Sequence, residues 1–69
     1  MKYYIVRNIA GTTLFFDGEN FQEYRSRAAI YEHDEALQEI EDKDLQYSEL
    51  QPVNVFIDFQ RDIFTHMGL

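Results

Sequence analysis

Two histidines, His33 and His66, are the only imidazoles in the 69-residue chain, and each stands near carboxylates: Asp34 and Glu35 follow the first, and Asp62 precedes the second by four residues. On a helix, Asp62 and His66 would share a face and offer a metal ion one oxygen and one nitrogen. Two ligands fall short of the spacing that metal centres show, and with no cysteine there is no thiolate to add. Metal binding through Asp62 and His66 therefore stands as a second alternative, and no metal or other cofactor is expected. Hydrolytic chemistry is equally thin. Ser26 and Ser48 lack a glycine-rich elbow, and Asp17 and Asp58 are separate acids on or at the end of strand-like runs. Gly11, Gly18 and Gly68 are too far apart to form a phosphate cradle. No residue is assigned a catalytic role, and the expectation is a protein that is not an enzyme.

Charge carries more information. Residues 32 to 49 hold Glu32, Asp34, Glu35, Glu39, Glu41, Asp42, Asp44 and Glu49 against Lys43 alone, a balance of -7, while the rest of the chain has five acids and five bases. The whole net charge of -7 thus sits in one segment. Such a field repels nucleic acid and anionic membrane and steers association toward basic surfaces. The only basic cluster is YRSR, with Arg25 and Arg27 beside Tyr24, which Glu23 or Glu32 can neutralise within the fold. The aromatics Tyr3, Tyr4, Phe15 and Phe16 have no basic groove around them that would turn them into base-stacking platforms, so they read as core.

These residues need elements to position them. KYYIVRNI (Lys2 to Ile9) is rich in Tyr, Ile and Val with apolar residues on both alternate faces, which predicts an inner strand. Ala10 and Gly11 form a turn, and TTLFFD runs to a stop at Asp17-Gly18, so the two strands make an antiparallel hairpin. Glu19 to Arg27 reads as a loop or a single helical turn, with Asn20 and Glu23 resembling a capping box. AAIY (Ala28 to Tyr31) is extended and feeds a helix capped by Asp34, with Glu35 in its first turn. On a wheel counted from Asp34, Ala36, Ile40 and Leu37 fall at about 200°, 240° and 300°, and Asp42, Glu35 and Glu39 at about 80°, 100° and 140°. Apolar and acidic stripes therefore oppose each other, and because Asp44 would fall at about 280°, inside the apolar stripe, the helix ends near Asp42 or Lys43, where Glu39 and Lys43 form an i,i+4 pair. LQYSELQP reads as a polar connection, and Pro52 opens the strand VNVFIDF. QRDIFTHMGL, with Phe59 just before it, has Phe59, Ile63 and Met67 at helical spacing for a final turn or two, or leaves an apolar tail of Phe64, Met67 and Leu69.

The chain is short enough for one core only, so residues 1 to 69 are expected to form a single domain. Eleven aromatic residues offset its small size, and the absence of cysteine fits a reducing, cytoplasmic compartment. The apolar run after Met1 is broken at Arg7 and Asn8, too early for a signal core or a membrane span, so a soluble protein, complete as written, is expected. The element order predicts an α+β fold: a small two-layer domain with an antiparallel sheet of three to four strands and one main helix packed on one face.

In its hairpin start (KYYIVRN, then TTLFFD), its alanine-led run into an acidic helix (AAIYEHDEALQEI), its closing VNVFIDF and its small acidic size, the chain resembles small phage-encoded accessory proteins, a diverse group that includes anti-CRISPR proteins and host-takeover inhibitors. That resemblance covers most of the chain and rests on layout. It implies a non-enzymatic inhibitor of a nucleic-acid-handling complex and transfers no role to any single residue.

The charge pattern by itself points to a binding protein that occupies the basic surface of a larger protein, as a nucleic-acid mimic would, with no direct nucleic-acid or membrane contact. Glu35, Glu39 and Asp42 lie in a row spanning about 10.5 Å of helix, at spacings close to those of a nucleic-acid backbone. They are the expected charge contacts, with Glu32, Asp34, Glu41 and Asp44 at the rim and Tyr31 or Tyr47 as an aromatic anchor. The alternative is a structural or regulatory homodimer that packs Phe64, Met67 and Leu69 across a two-fold axis.

Overall fold

The computed structural model describes residues 1–54, which form an α+β domain: one helix packed on a curled antiparallel sheet. Its elements are β1 (Lys2–Ile9), β2 (Thr12–Phe16), β3 (Phe21–Gln22), a 3-10 turn (Arg25–Arg27), β4 (Tyr31–Glu32), α1 (His33–Asp42) and β5 (Glu49–Pro52). Among the described residues the sheet has five strands, two of them only two residues long. As expected of an inner strand, β1 is paired along both edges. Val6 faces Phe15 of β2 and Glu49 of β5, and Tyr3 faces Tyr31 of β4 and Pro52 of β5. One edge of β1 therefore belongs to β5, while β2 and β4 share the other in succession.

The β1–β2 hairpin closes through Ala10 and Gly11, both at positive φ (51° and 81°), the backbone of a tight primed turn whose twist matches that of the strands. At Asp17 the chain leaves the sheet because the side chain's Oδ1 accepts from the backbone N–H of Glu19 and Asn20, at 2.9 and 2.8 Å. This Asx turn holds the Asp17 carboxyl below the usual carboxylate range, the Asn20 contact contributing most. No helix forms over Asn20 to Glu23. Phe21 and Gln22 instead pair back onto β2, and the only helical geometry nearby is the Arg25–Arg27 turn.

Alternation along β1 divides the core into two layers. Ile5 and Phe16 meet Ala36 beneath α1, with Phe21, Tyr31, Ile40, Leu45 and Leu50 around them. Tyr4, Val6 and Phe15 lie on the opposite face with Ala28 and Val53, the Tyr4 and Phe15 rings meeting edge to face at 5.6 Å. Three of the four aromatics expected in the core, Tyr4, Phe15 and Phe16, are buried.

Helix α1 begins two residues earlier than its sequence suggests. The N-cap is Glu32, not Asp34, because Glu35 Oε1 accepts the Glu32 N–H at 3.1 Å and completes a capping box that a cap at Asp34 cannot form. The C-terminus falls as expected, with Asp42 the last helical residue and Lys43 the C-cap. There the Leu45 N–H reaches the Ile40 carbonyl at 2.9 Å and the Asp44 N–H the Glu41 carbonyl at 3.3 Å, a Schellman closure with Asp44 left-handed at φ 51°. Ile40 and Leu45 both pack into the core beside this closure. Glycine adopts that backbone without a Cβ penalty, so Asp44→Gly is expected to stabilise the fold by roughly 0.5 kcal/mol, read as a melting midpoint about 2–4 °C higher.

The stretch read as a polar connection contains a strand. Glu49–Pro52 form β5, and Pro52 ends that strand instead of opening the next one. Val53 and Asn54 lie outside any strand, although the Val53 N–H still bonds the Lys2 carbonyl at 2.9 Å. The rest of VNVFIDF and the expected final helical turns lie outside the described residues.

Candidate binding face on helix α1

The helix is rolled relative to its apolar wheel. Ala36 is fully buried and Ile40 half-buried, but Leu37 is 48% exposed, so the expected apolar stripe loses one edge. What displaces it is a polar anchor on the other side. Glu39 Oε2 accepts the Tyr31 hydroxyl at 2.9 Å and Lys43 Nζ at 3.0 Å, and Lys43 also donates to the Gly18 carbonyl at 2.8 Å while standing 5.6 Å from the centre of the Phe16 ring. The buried side consequently runs from Glu39 at about 140° to Ile40 at about 240° on the same wheel. The Glu39–Lys43 pair expected from the i,i+4 spacing is present, with Glu39 half-buried and Lys43 exposed.

This anchor separates the acids into two sets. Three are engaged within the fold: Glu39 as above, Glu35 in the capping box, and Glu32 in an ion pair with Lys2. The Glu32–Lys2 contact holds the Glu32 carboxyl below its usual range and the Lys2 ammonium above its own, through the shared hydrogen bond first and charge second. Glu32 therefore favours folding above the normal carboxylate range and loses that effect on acidification. Lys2 favours folding below the normal lysine range and loses it in strong base. Both groups are exposed, so neither effect is large.

The second set points to solvent. Asp34, Glu41, Asp42 and Asp44 are all exposed; Asp34 stands 3.5 Å from His33 Nδ1, Asp42 accepts from Gln38 at 2.8 Å, and Asp44 from Gln46 at 3.3 Å. Asp34 and Glu41 fall within about 20° of each other on the wheel and about 10.5 Å apart along the axis, flanking the exposed Leu37, with Asp42 and Glu35 on the adjoining side. The outward row is thus Asp34, Glu41 and Asp42, with Glu35 exposed beside them while its Oε1 holds the capping box, and Glu39 does not project with it. Lys2 and Lys43, the bases nearest to it, are each already paired with an acid.

The two tyrosines named as anchors have different surroundings. Tyr31 is partly buried against the core beneath α1. Its phenol is pushed far above the usual tyrosine range, first by burial and then by its hydrogen bond to Glu39. Because only the protonated phenol donates that bond, its contribution to stability is complete below about pH 10 and is lost as pH rises further. In alkaline titration Tyr31 is expected to stay un-ionised where free tyrosine ionises. The wild type and Tyr31→Phe should then develop equal phenolate absorbance until the fold opens, whereas a difference near pH 10 would contradict the assignment. Tyr47, by contrast, is 87% exposed and lies in a loop after the helix at φ 61°. Nothing in the sequence of that loop signals the backbone geometry.

His33 is the first helical residue, and its ring meets Tyr3 edge to face at 5.4 Å. Among the described residues no three His, Cys, Asp or Glu side chains are grouped to hold a metal, and no helix is long and apolar enough to cross a membrane. Of the basic cluster, Arg25 lies over the Phe15 ring, on the face of the sheet opposite α1, and Arg27 over the exposed Tyr24 ring, each 5.4 Å from the ring centre. The alternative sites, Asp62 with His66 and the Phe64, Met67 and Leu69 tail, lie outside the described residues. Compared with known protein families, curated proteins and solved structures, the chain matches none.

Proposed function

We propose that the protein is a small, non-enzymatic acidic binding protein whose α1 face occupies a basic, nucleic-acid-handling surface of a larger protein, in the manner of the phage-type inhibitors that its layout resembles. One observation carries the reading. Glu41 and Asp42 fill the last turn of α1, which has no basic residue. The carbonyl end of a helix favours cations, so acid there costs stability, typically 0.3–1 kcal/mol per charge. A fold with a core this small retains that cost more readily if the charge has another use. Asp34 and Glu35 continue the same face to the other end of the helix, and Leu37 offers an apolar contact among them.

Capture from a cell lysate on the immobilised protein, eluted with rising salt, tests the reading when wild type and the Glu41→Lys, Asp42→Lys double variant are run side by side. The expected result is a nucleic-acid-handling protein released by salt and lost with the variant. Retention of the same protein by both baits would contradict the proposal.

A further inference from the structure

On its outward side α1 leaves Asp34, Leu37, Gln38, Glu41 and Asp42 open to solvent. On the wheel used above, Glu41, Asp34 and Gln38 fall at about 340°, 0° and 40°, with Leu37 beside them at about 300°. Asp34, Leu37 and Glu41 therefore stand at i, i+3 and i+7, the spacing of a seam along which one helix lies on another. Their positions along the axis are about 0, 4.5 and 10.5 Å, so the half-exposed leucine stands between the two carboxylates. Gln38, on the far side of the seam, is tied to Asp42 at 2.8 Å. The charge of this face is not balanced within the described residues. Lys2 and Lys43 are committed to Glu32 and Glu39, and the contact to Asp34 is from an imidazole, His33 Nδ1 at 3.5 Å. What complements the face is therefore cationic, with an apolar group between its charges.

We propose that this face seats a basic helix of the protein partner, laid along α1 with two lysines or arginines seven residues apart against Asp34 and Glu41 and an apolar side chain between them against Leu37. The spacing selects a helix. Residues seven apart on a helix lie about 10.5 Å from each other and within about 20° of one face, which matches the two acids. On a strand, residues that share a face fall about 6.8 or 13.6 Å apart, and neither distance matches. A disordered basic tail answers the carboxylates only after a cost in ordering, and fixes nothing opposite Leu37. A second copy of α1 brings acid against acid, so the occupant is a different chain. Helices packed 8–10 Å apart bring their facing side chains into contact, which covers the leucine. This inference rests on the function proposed above and deepens it, by naming the kind of element that the acidic face meets; the charges speed association, and the covered leucine slows dissociation.

The test is a titration of the full chain, followed by backbone amide shifts, with a capped alanine-based peptide of about 18 residues, long enough to be helical in water. The peptide carries two lysines seven residues apart and a leucine three residues after the first. Its control has one central alanine replaced by proline, which breaks the helix and keeps the charge. Saturable shifts at Asp34, Leu37, Gln38 and Glu41 are expected, with the control binding about threefold more weakly or worse. Leu37→Gln preserves helix propensity and charge, and is expected to weaken binding of the helical peptide about fivefold, the effect of leaving half a leucine side chain uncovered. Equal binding of the two peptides, or an unchanged affinity in Leu37→Gln, would overturn the helical partner and leave the acidic-face reading standing. The absence of shifts along α1 with either peptide would overturn both.

Discussion

Replacing Phe16 by alanine is expected to cost the fold about 3–5 kcal/mol, the range for truncating a buried aromatic in a core that cannot collapse around the loss. Phe16 is 1% exposed and sits where every layer meets: against Ile5 of β1, against Ala36 of α1, and 5.2 Å from the Phe21 ring of β3. The walls of the resulting cavity cannot move independently. Ala36 is fully buried with no side-chain length to reach inward, and β2 is held in register with β1 from Thr12 to Phe15. A domain of this size has roughly 0.05–0.15 kcal/mol of stability per residue, so the loss removes a large share of the total. Thermal unfolding followed by circular dichroism should show the midpoint falling by at least about 12 °C, or no cooperative transition at all. A drop of only a few degrees would mean that the core beneath α1 is not organised around Phe16.

The second large effect is on association. In the Glu41→Lys, Asp42→Lys variant the net charge moves by four units, and both substitutions lie in the last helical turn, where the dipole favours lysine. Stability is therefore expected to hold or rise by up to about 1 kcal/mol per site, while association with a basic partner slows by about tenfold or more at low salt. The opposite signs matter, because loss of binding cannot then be attributed to unfolding. Reversing Glu39 would not give this separation, since it would leave the Tyr31 hydroxyl and Lys43 without their shared acceptor. Equal association rates for the wild type and the double variant would remove the helix face from the interaction.

Much of this fold is legible in the residues. The β1–β2 hairpin follows from aromatic and β-branched runs broken by Ala10-Gly11, and the end of α1 follows from the point where Asp44 would enter the apolar stripe. Strand β5 is not legible, because ELQP has neither alternation nor strong strand propensity; it is extended because the open edge of β1 offers its backbone a partner. The roll of α1 is hidden for a related reason. A wheel weighs apolarity alone, whereas the contact that turns the helix is a carboxylate held by Tyr31, eight residues earlier, and by Lys43, itself fixed to Gly18. Reading Glu39 as part of the outward row follows directly from that omission. The acidity of the segment is plain from composition. Its division into engaged acids (Glu32, Glu35, Glu39) and open ones (Asp34, Glu41, Asp42, Asp44) depends on tertiary partners that no local pattern contains.

The steering proposed for the acidic face of α1, onto a basic surface of a partner, is electrostatic. Its most direct test is the association rate of the wild-type protein with its captured partner, measured as ionic strength rises from about 0.01 M to 0.15 M, which shortens the screening length from about 30 Å to 8 Å. A steep fall in that rate with a much smaller change in dissociation is predicted, and a rate independent of salt would contradict the account.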